Sequence, residues 1–570
     1  MYTAGTALLE ALHACGVRFL FCNFGSDHPA LIEALAEARV SGRDVPRVIT
    51  CPNEMVALSA AHGAALLTGQ AQAVVVHVDC GTQALAGALH NAAKGRAPVL
   101  IFAGRSPFTQ EGELRGSRNE FIQWIQDVFD QPGIVRGYVK YDNELRTARN
   151  VRQIVARALQ IAHSDPKGPV YLTAAREVLE EETTPEPFDP AAWRPIGPAA
   201  LPEAAVAAIA ADLLVARRPL LVTSHLGRST DAVAVLHRLA HRIGLGVLES
   251  VPCCVNFPTD DPLYLGNQWN EPRQNPALAE ADCVLVIDSD VPWIPTVSRP
   301  AADARIHHID VDPLKQAMPL WHIPAHGVWR ADAATALRQL DRHIAALAPD
   351  AARVAARHAH WAGHHAARQA ALEAREAMPA GDITAEYATA CIRTHLCPET
   401  IVVSEAVSNF PVVIDHLRLA RPGALYWSGG GSLGWSGGAA VGMKLARPEA
   451  EIVALVGDGS FMFSVPSAVH WIARHYAAPF LTLVFNNRGW KSPKLSALSV
   501  HPSGHASRAN DLDVSFDPPP DYAGIAAAAG GALALTVRRP EELAGAVAEG
   551  FRVLRAERRP VLLDVWIARL

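Results

Sequence analysis

The sequence predicts an α/β protein made of three doubly wound parallel-sheet domains. Three observations lead there. Short unbroken apolar runs such as AVVVHV, EIVALV and FLTLVF read as strands covered on both faces. Helix-length stretches with apolar residues three and four apart lie between them. Two segments without strand grammar divide the 570 residues into three units of similar size, in keeping with chain length alone.

The first unit, residues 1–178, opens with a helix around 3–15 and the strand VRFLFCNFG. A helix over 29–39, the strand VIT, a helix over 55–67, and the strands AVVVHV and PVLIFAG follow, and GPVYLTAAREVL closes the unit. The Pro- and acid-rich EEETTPEPFDPAAWRPIGPAALP is a linker. The second unit, 200–345, has the strands PLLVTS, GVLES, CVLVID and RIHHIDVD among Ala/Leu-rich helices. The Ala/His/Arg-rich stretch from Asp350 to Met378 reads as a solvated linker helix, its histidines offering no metal site. The third unit, 380–570, resumes with TIVVSEA, GALYW, EIVALVGDG and FLTLVFNN and ends in PVLLDVWIA. The first and third units share strand grammar and are expected to be structural cousins.

Half the residues are apolar and 19% are charged, which places the chain among folded proteins. With 51 Lys+Arg against 57 Asp+Glu and no basic run, the net charge of −6 predicts no nucleic-acid partner. No stretch of eighteen uncharged apolar residues occurs, so no membrane span is expected. The nine cysteines are scattered without CxxC pairing, and the opening residues read as an amphipathic helix rather than an export signal. A cytoplasmic, reduced protein acting on a small molecule is the expectation.

The sharpest motif is GDGS, Gly457, Asp458, Gly459 and Ser460, directly after an apolar strand; the next strand ends in Asn486-Asn487. A carboxylate, amide oxygens and bare backbone at one sheet edge suit Mg²⁺ holding a diphosphate, although GDG alone also fits a plain tight turn. Upstream, SGGGSLGWSGGAAVG is too glycine-rich for a core helix, and by itself equally fits a loop before a small-residue helix. Glu54 stands where VIT gives way to a helix and, taken alone, is a first-turn glutamate.

Together these elements resemble the thiamine-diphosphate-dependent enzymes, in the branch holding acetolactate synthase and benzoylformate decarboxylase, over nearly the whole chain. The resemblance implies pyrimidine-binding, central and diphosphate-binding domains in that order. It implies Asp458, Asn487 and the Gly489 carbonyl as Mg²⁺ ligands, and Ser408, Gly431, Gly457, Gly459 and Ser460 on the cofactor. Leu433 would be the wedge that bends the cofactor, and Glu54 the carboxylate that bonds its pyrimidine ring. The cofactor would lie between the first domain of one subunit and the third of another, in a homodimer or homotetramer.

The implied reaction makes or breaks a C–C bond beside the carbonyl of a 2-oxo acid, through the cofactor's C2 ylide and an enamine. Protonation would give an aldehyde, as in benzoylformate decarboxylation. Capture by an acceptor aldehyde would make a carboligase of acetolactate-synthase type, here without FAD; a 2-hydroxyacyl-CoA lyase is a further alternative. By the same resemblance Ser26 in NFGS would grip the substrate carboxylate and His77 would transfer protons. From the residues alone Ser26 also fits a helix N-cap, and His77 a strand-end histidine bonded to backbone. Asp261 in FPTDDPLYLG falls where the resemblance expects a second catalytic histidine. The polar segment after Asn487 reads as a lid, with Trp490 and Ser492 near the substrate.

Overall fold

The computed structural model describes residues 1–510 and 512–569, which form three six-stranded sheets, every strand parallel to its neighbours. The first sheet holds β1 (Phe19–Cys22), β2 (Arg47–Thr50), β3 (Gln72–Val76), β4 (Val99–Arg105), β5 (Asp142–Leu145) and β6 (Val170–Ala175), in the order β2-β1-β3-β4-β6-β5. The second holds β7 (Pro219–Thr223), β8 (Gly246–Ser250), β9 (Tyr264–Gln268), β10 (Cys283–Ile287), β11 (Arg305–Asp310) and β12 (Gly327–Arg330), in the order β12-β11-β10-β7-β8-β9. The third holds β13 (Thr400–Glu405), β14 (Leu425–Tyr426), β15 (Glu451–Gly457), β16 (Leu481–Asn486), β17 (Leu533–Val537) and β18 (Val561–Trp566), in the order β14-β13-β15-β16-β18-β17.

The first and third sheets have the same topology, so the expected kinship is real; the middle sheet is wound differently. The chain reverses direction in each order between β1 and β3, between β7 and β10, and between β13 and β15. Ligands of open parallel sheets bind at such reversals, beyond the carboxyl ends of the strands. Central strands such as β3, β10 and β16 are buried at every residue, which is why each is one apolar run.

The first and third sheets meet through the helices Glu54–Thr68 and Trp435–Ala446. Small residues bring the two backbones together. A Cβ on Gly442 would lie 2.7 Å from the Ala60 carbonyl carbon and closer still to its oxygen, and one on Gly63 would lie 2.6 Å from the Ala439 Cα.

Two expectations need refinement. The helix Ala351–Arg375 is mostly solvent-exposed, as expected of a solvated helix, but it is also anchored: Arg357, Trp361 and Leu372 are buried, the first two against the middle domain. Arg357 donates to the carbonyls of Ile243 (2.7 Å), Leu213 (3.1 Å) and Leu214 (2.9 Å), satisfying acceptors left open where two helices end. The segment after Asn487 is also more ordered than a loop, with helices at Lys491–Val500 and His505–Ala509. No helix among the described residues is long and apolar enough to cross a membrane, and the nine cysteines are all free.

Candidate active site

At the reversal of the third sheet, β15 ends in Gly457 and delivers Asp458, and β16 ends in Asn486 and delivers Asn487. Asp458 is buried; its Oδ1 accepts Gly459 N–H at 2.8 Å and its Oδ2 accepts Gly489 N–H at 3.0 Å. Burial pushes its pKa up to about 6 in spite of those donors. The inner end of the Asn487 amide lies 3.1 Å from both Asp458 oxygens and 3.0 Å from the Gly489 carbonyl oxygen. With nitrogen inward it donates to all three. With oxygen inward it completes a cluster of four oxygens of the kind a hard cation binds. These are hard ligands of the kind Mg²⁺ takes. A cavity of about 280 Å³ opens beside them, lined also by Ser408, Gly431, Leu433, Ser460 and Trp490.

Glu405, at the end of β13, is the buried carboxylate that shapes the glycine-rich run. It accepts the N–H groups of Gly434 (2.7 Å), Trp435 (3.2 Å) and Ser436 (2.8 Å), and burial pushes its pKa up to about 7. Gly434 takes φ +96°, a left-handed conformation that favours glycine. Asn91 fixes the preceding turn from the first sheet's side, accepting Ser432 N–H at 3.1 Å and donating to its carbonyl at 2.8 Å. Gly431 and Leu433 thereby form a wall between the Asp458 cavity and a larger one of about 480 Å³, lined by Trp269, Phe410, Trp427, His225 and Glu405.

At the reversal of the first sheet, loops after β1, β2 and β3 carry Ser26, Glu54 and His77. Glu54 opens its helix, and its Oε1 accepts the Asn23 amide at 2.6 Å. His77 is the N-cap of the helix Val78–Ala84 and bonds through Nδ1 to Asp27 Oδ1, not to backbone. Gly25 N–H donates to His28 Nδ1 at 3.0 Å, so the His28 proton sits on Nε2, 3.2 Å from Asp27 Oδ2. Asp27 thus stands between two imidazoles and leaves His77 Nε2 as the outward nitrogen. Its carboxylate, hydrogen-bonded to the ring, raises the His77 pKa above the ordinary value. Ser26 is no helix cap: the following helix starts after His28, and Ser26 Oγ is buried without a partner. The Gln126 amide, also buried and unpartnered, lies beside His77. Asp27, His28, Gln126 and Glu405 were not singled out from the sequence.

Within one chain the Glu54 half-site contributes nothing to the Asp458 cavity. Every residue lining the Asp458 cavity lies between positions 406 and 493; Glu54, Ser26 and His77 are not among them. Each half is flanked by exposed apolar side chains: Phe121, Trp124, Ile125 and Phe129 near Gln126, and Met462 and Phe463 near Asp458.

Asp261 joins neither half, which corrects the sequence expectation. It precedes β9 and so lies at the amino end of the middle sheet, whereas Val251 and Trp269, at the carboxyl ends of β8 and β9, face the large cavity. Its carboxylate is taken up by His237, His241 and the Leu263 N–H.

Family models for the N-terminal, central and C-terminal domains of thiamine pyrophosphate enzymes match residues 2–134, 206–340 and 407–565. The chain belongs to the thiamine pyrophosphate enzyme family. It is 26% identical to benzoylformate decarboxylase of Pseudomonas aeruginosa over 99% of both chains. It is 24% identical to a probable acetolactate synthase of Oryza sativa, over 98% of this chain and 82% of that one. A thiamine diphosphate-dependent 4-hydroxybenzoylformate decarboxylase of Rhodococcus jostii RHA1 has the same fold, with a TM-score of 0.79 at 22% identity over 100% of this chain and 99% of that one. This is a thiamine-diphosphate-binding enzyme related to both the decarboxylases and the acetolactate synthases.

Proposed function

We propose that the protein is a Mg²⁺- and thiamine-diphosphate-dependent lyase that splits a 2-oxo acid into CO₂ and an aldehyde, with its site shared between two copies of the chain. The oxygen cluster of Asp458, Asn487 and Gly489 carries this reading. With the Asn487 amide oxygen turned inward, it offers four oxygens to a hard cation at the sheet reversal where a diphosphate would lie. The domain bounds that go with it are 1–178, 200–345 and 380–570, and the free thiols fit a reducing cytoplasm.

When bound, the cofactor supplies the electron sink for the bond beside the carbonyl. Asp458, Asn487 and the Gly489 carbonyl hold the metal, and Gly457, Gly459, Ser460 and Ser408 line the diphosphate position. Leu433 and Gly431 support the ring system from the wall between the cavities. Glu54, offered from the other subunit, holds a proton at the pyrimidine edge. Ser26 Oγ and the Gln126 amide bind the substrate carboxylate, which would satisfy their unpartnered polar atoms. His77 Nε2 delivers the proton that replaces the departing carboxyl group, its ring held by Asp27.

Carboligation is the second reading, because the cavity of about 480 Å³ beside Leu433 has room for an acceptor aldehyde. Turnover on a panel of 2-oxo acids, with and without an acceptor, separates the two. Release of CO₂ and aldehyde supports the lyase; a hydroxyketone formed only with acceptor supports carboligation. Inactivity on every 2-oxo acid with Mg²⁺ and cofactor present would overturn both.

A further inference from the structure

We propose that His237, His241 and Asp261 form a second metal site, distinct from the Mg²⁺ position, that takes one Zn²⁺-class divalent ion on the middle domain. His237 and His241 are four apart on the helix Thr230–Ile243 and therefore share a face. Both turn Nε2 onto the same oxygen, Asp261 Oδ2, at 2.9 and 2.7 Å, and the three ligand atoms lie within 4.8 Å of one another. Ligand atoms around a tetrahedral Zn²⁺ sit about 3.3 Å apart, given bonds of about 2.0–2.1 Å, so an opening of roughly half an ångström admits the ion.

The site is braced. Asp261 Oδ1 accepts Leu263 N–H at 2.8 Å, and the carboxylate is only 7% exposed. His358 Nε2 bonds the His241 carbonyl at 2.8 Å, holding the end of the ligand helix. The histidines themselves are 45% and 39% exposed, so a fourth, solvent-facing position is open to water. Two imidazoles and one carboxylate are a donor set for Zn²⁺, not for Mg²⁺, which prefers oxygen alone. The bound ion ties the helix Thr230–Ile243 to the turn before β9, at the sheet end away from the large cavity. Among the described residues one other such group exists, Glu280 with His360 and His364. There the distances are 2.8 and 3.6 Å and the carboxylate is 40% exposed, so it serves as the control.

The test titrates Zn²⁺ into the untagged holoenzyme, with Mg²⁺ and thiamine diphosphate saturating, against a chromophoric chelator. The expected result is one equivalent per chain. His241→Gln should weaken binding by at least about 100-fold, beyond the 10–100-fold cost of losing a group that merely orients a ligand. Asp261→Asn should do likewise, and circular dichroism shows that each variant is folded. The double variant His360→Gln/His364→Gln should bind as wild type does. Co²⁺ in place of Zn²⁺ should give tetrahedral d–d absorption that His237→Gln abolishes. No stoichiometric uptake, or uptake lost in the control variant and kept in His241→Gln, would overturn the proposal. It stands apart from the reading of the thiamine-diphosphate site.

Discussion

Replacing Asp27 by Asn tests whether a buried carboxylate sets the state of His77. Asp27 is 1% exposed, and both of its oxygens face imidazoles, Oδ1 toward His77 Nδ1 and Oδ2 at 3.2 Å from His28 Nε2. The hydrogen bond and opposite charge of Asp27 favour the charged imidazole, partly offset by burial of the ring. Asparagine keeps the shape and can still accept from Val78 N–H, 3.3 Å from Oδ2 in the parent chain, but it removes the charge. The His77 midpoint should therefore fall, and the fraction of charged His77 near pH 7 with it. The pH limit of turnover that depends on this proton should move down by the same amount. NMR titration of the His77 ring, assigned by difference from His77→Gln, reads the first quantity; kcat against pH reads the second. A midpoint that stays put or rises would refute the argument that Asp27 holds the proton on His77.

Two further perturbations follow from the packing. Burial pushes the Glu249 carboxyl up to about 7, while its Oε1 accepts Asn256 N–H and Nδ2 and its Oε2 accepts the Tyr264 hydroxyl. The stability that its protonated form provides is present below about pH 4.5 and is lost as pH rises through about 7. Glu249→Gln, whose amide nitrogen can donate to the Tyr264 oxygen, should raise stability at pH 8 by roughly 3 kcal/mol and flatten the decline between pH 5 and 7, as read by urea unfolding. Gly442→Ala should separate the helices Glu54–Thr68 and Trp435–Ala446 and cost about 1–3 kcal/mol, as measured by thermal unfolding, because the new methyl meets Ala60 backbone rather than a movable side chain.

The α/β class, the central strands and the kinship of the outer sheets were legible because a strand buried on both faces must be an apolar run. The edge strands β5, β12 and β17 were not, since their residues are mostly half-buried or exposed and so form no apolar run. Asp458 and Asn487 stood out because a lone carboxylate and amide at the ends of apolar strands serve no packing purpose. Asp27 and Glu405 did not, because their meaning lies in distant partners: His77 is fifty positions from Asp27, and the N–H groups that Glu405 accepts belong to a segment about thirty positions on. Asp261 was misplaced by a short local match. Its position before β9 puts it at the amino end of a parallel sheet, away from where such sheets bind ligands.

The central claim is that one site is built from two copies of the chain, and mixing two inactive variants tests it most directly. Glu54→Gln damages one half and Asp458→Ala the other, so each homo-oligomer should be nearly inactive. Dissociated and reassembled together, half the dimers should be mixed, each with one intact site of two, and activity should return to about a quarter of the wild-type level. If mixed dimers form, as mass spectrometry would show, and activity does not return, both halves act within a single chain and the account is wrong.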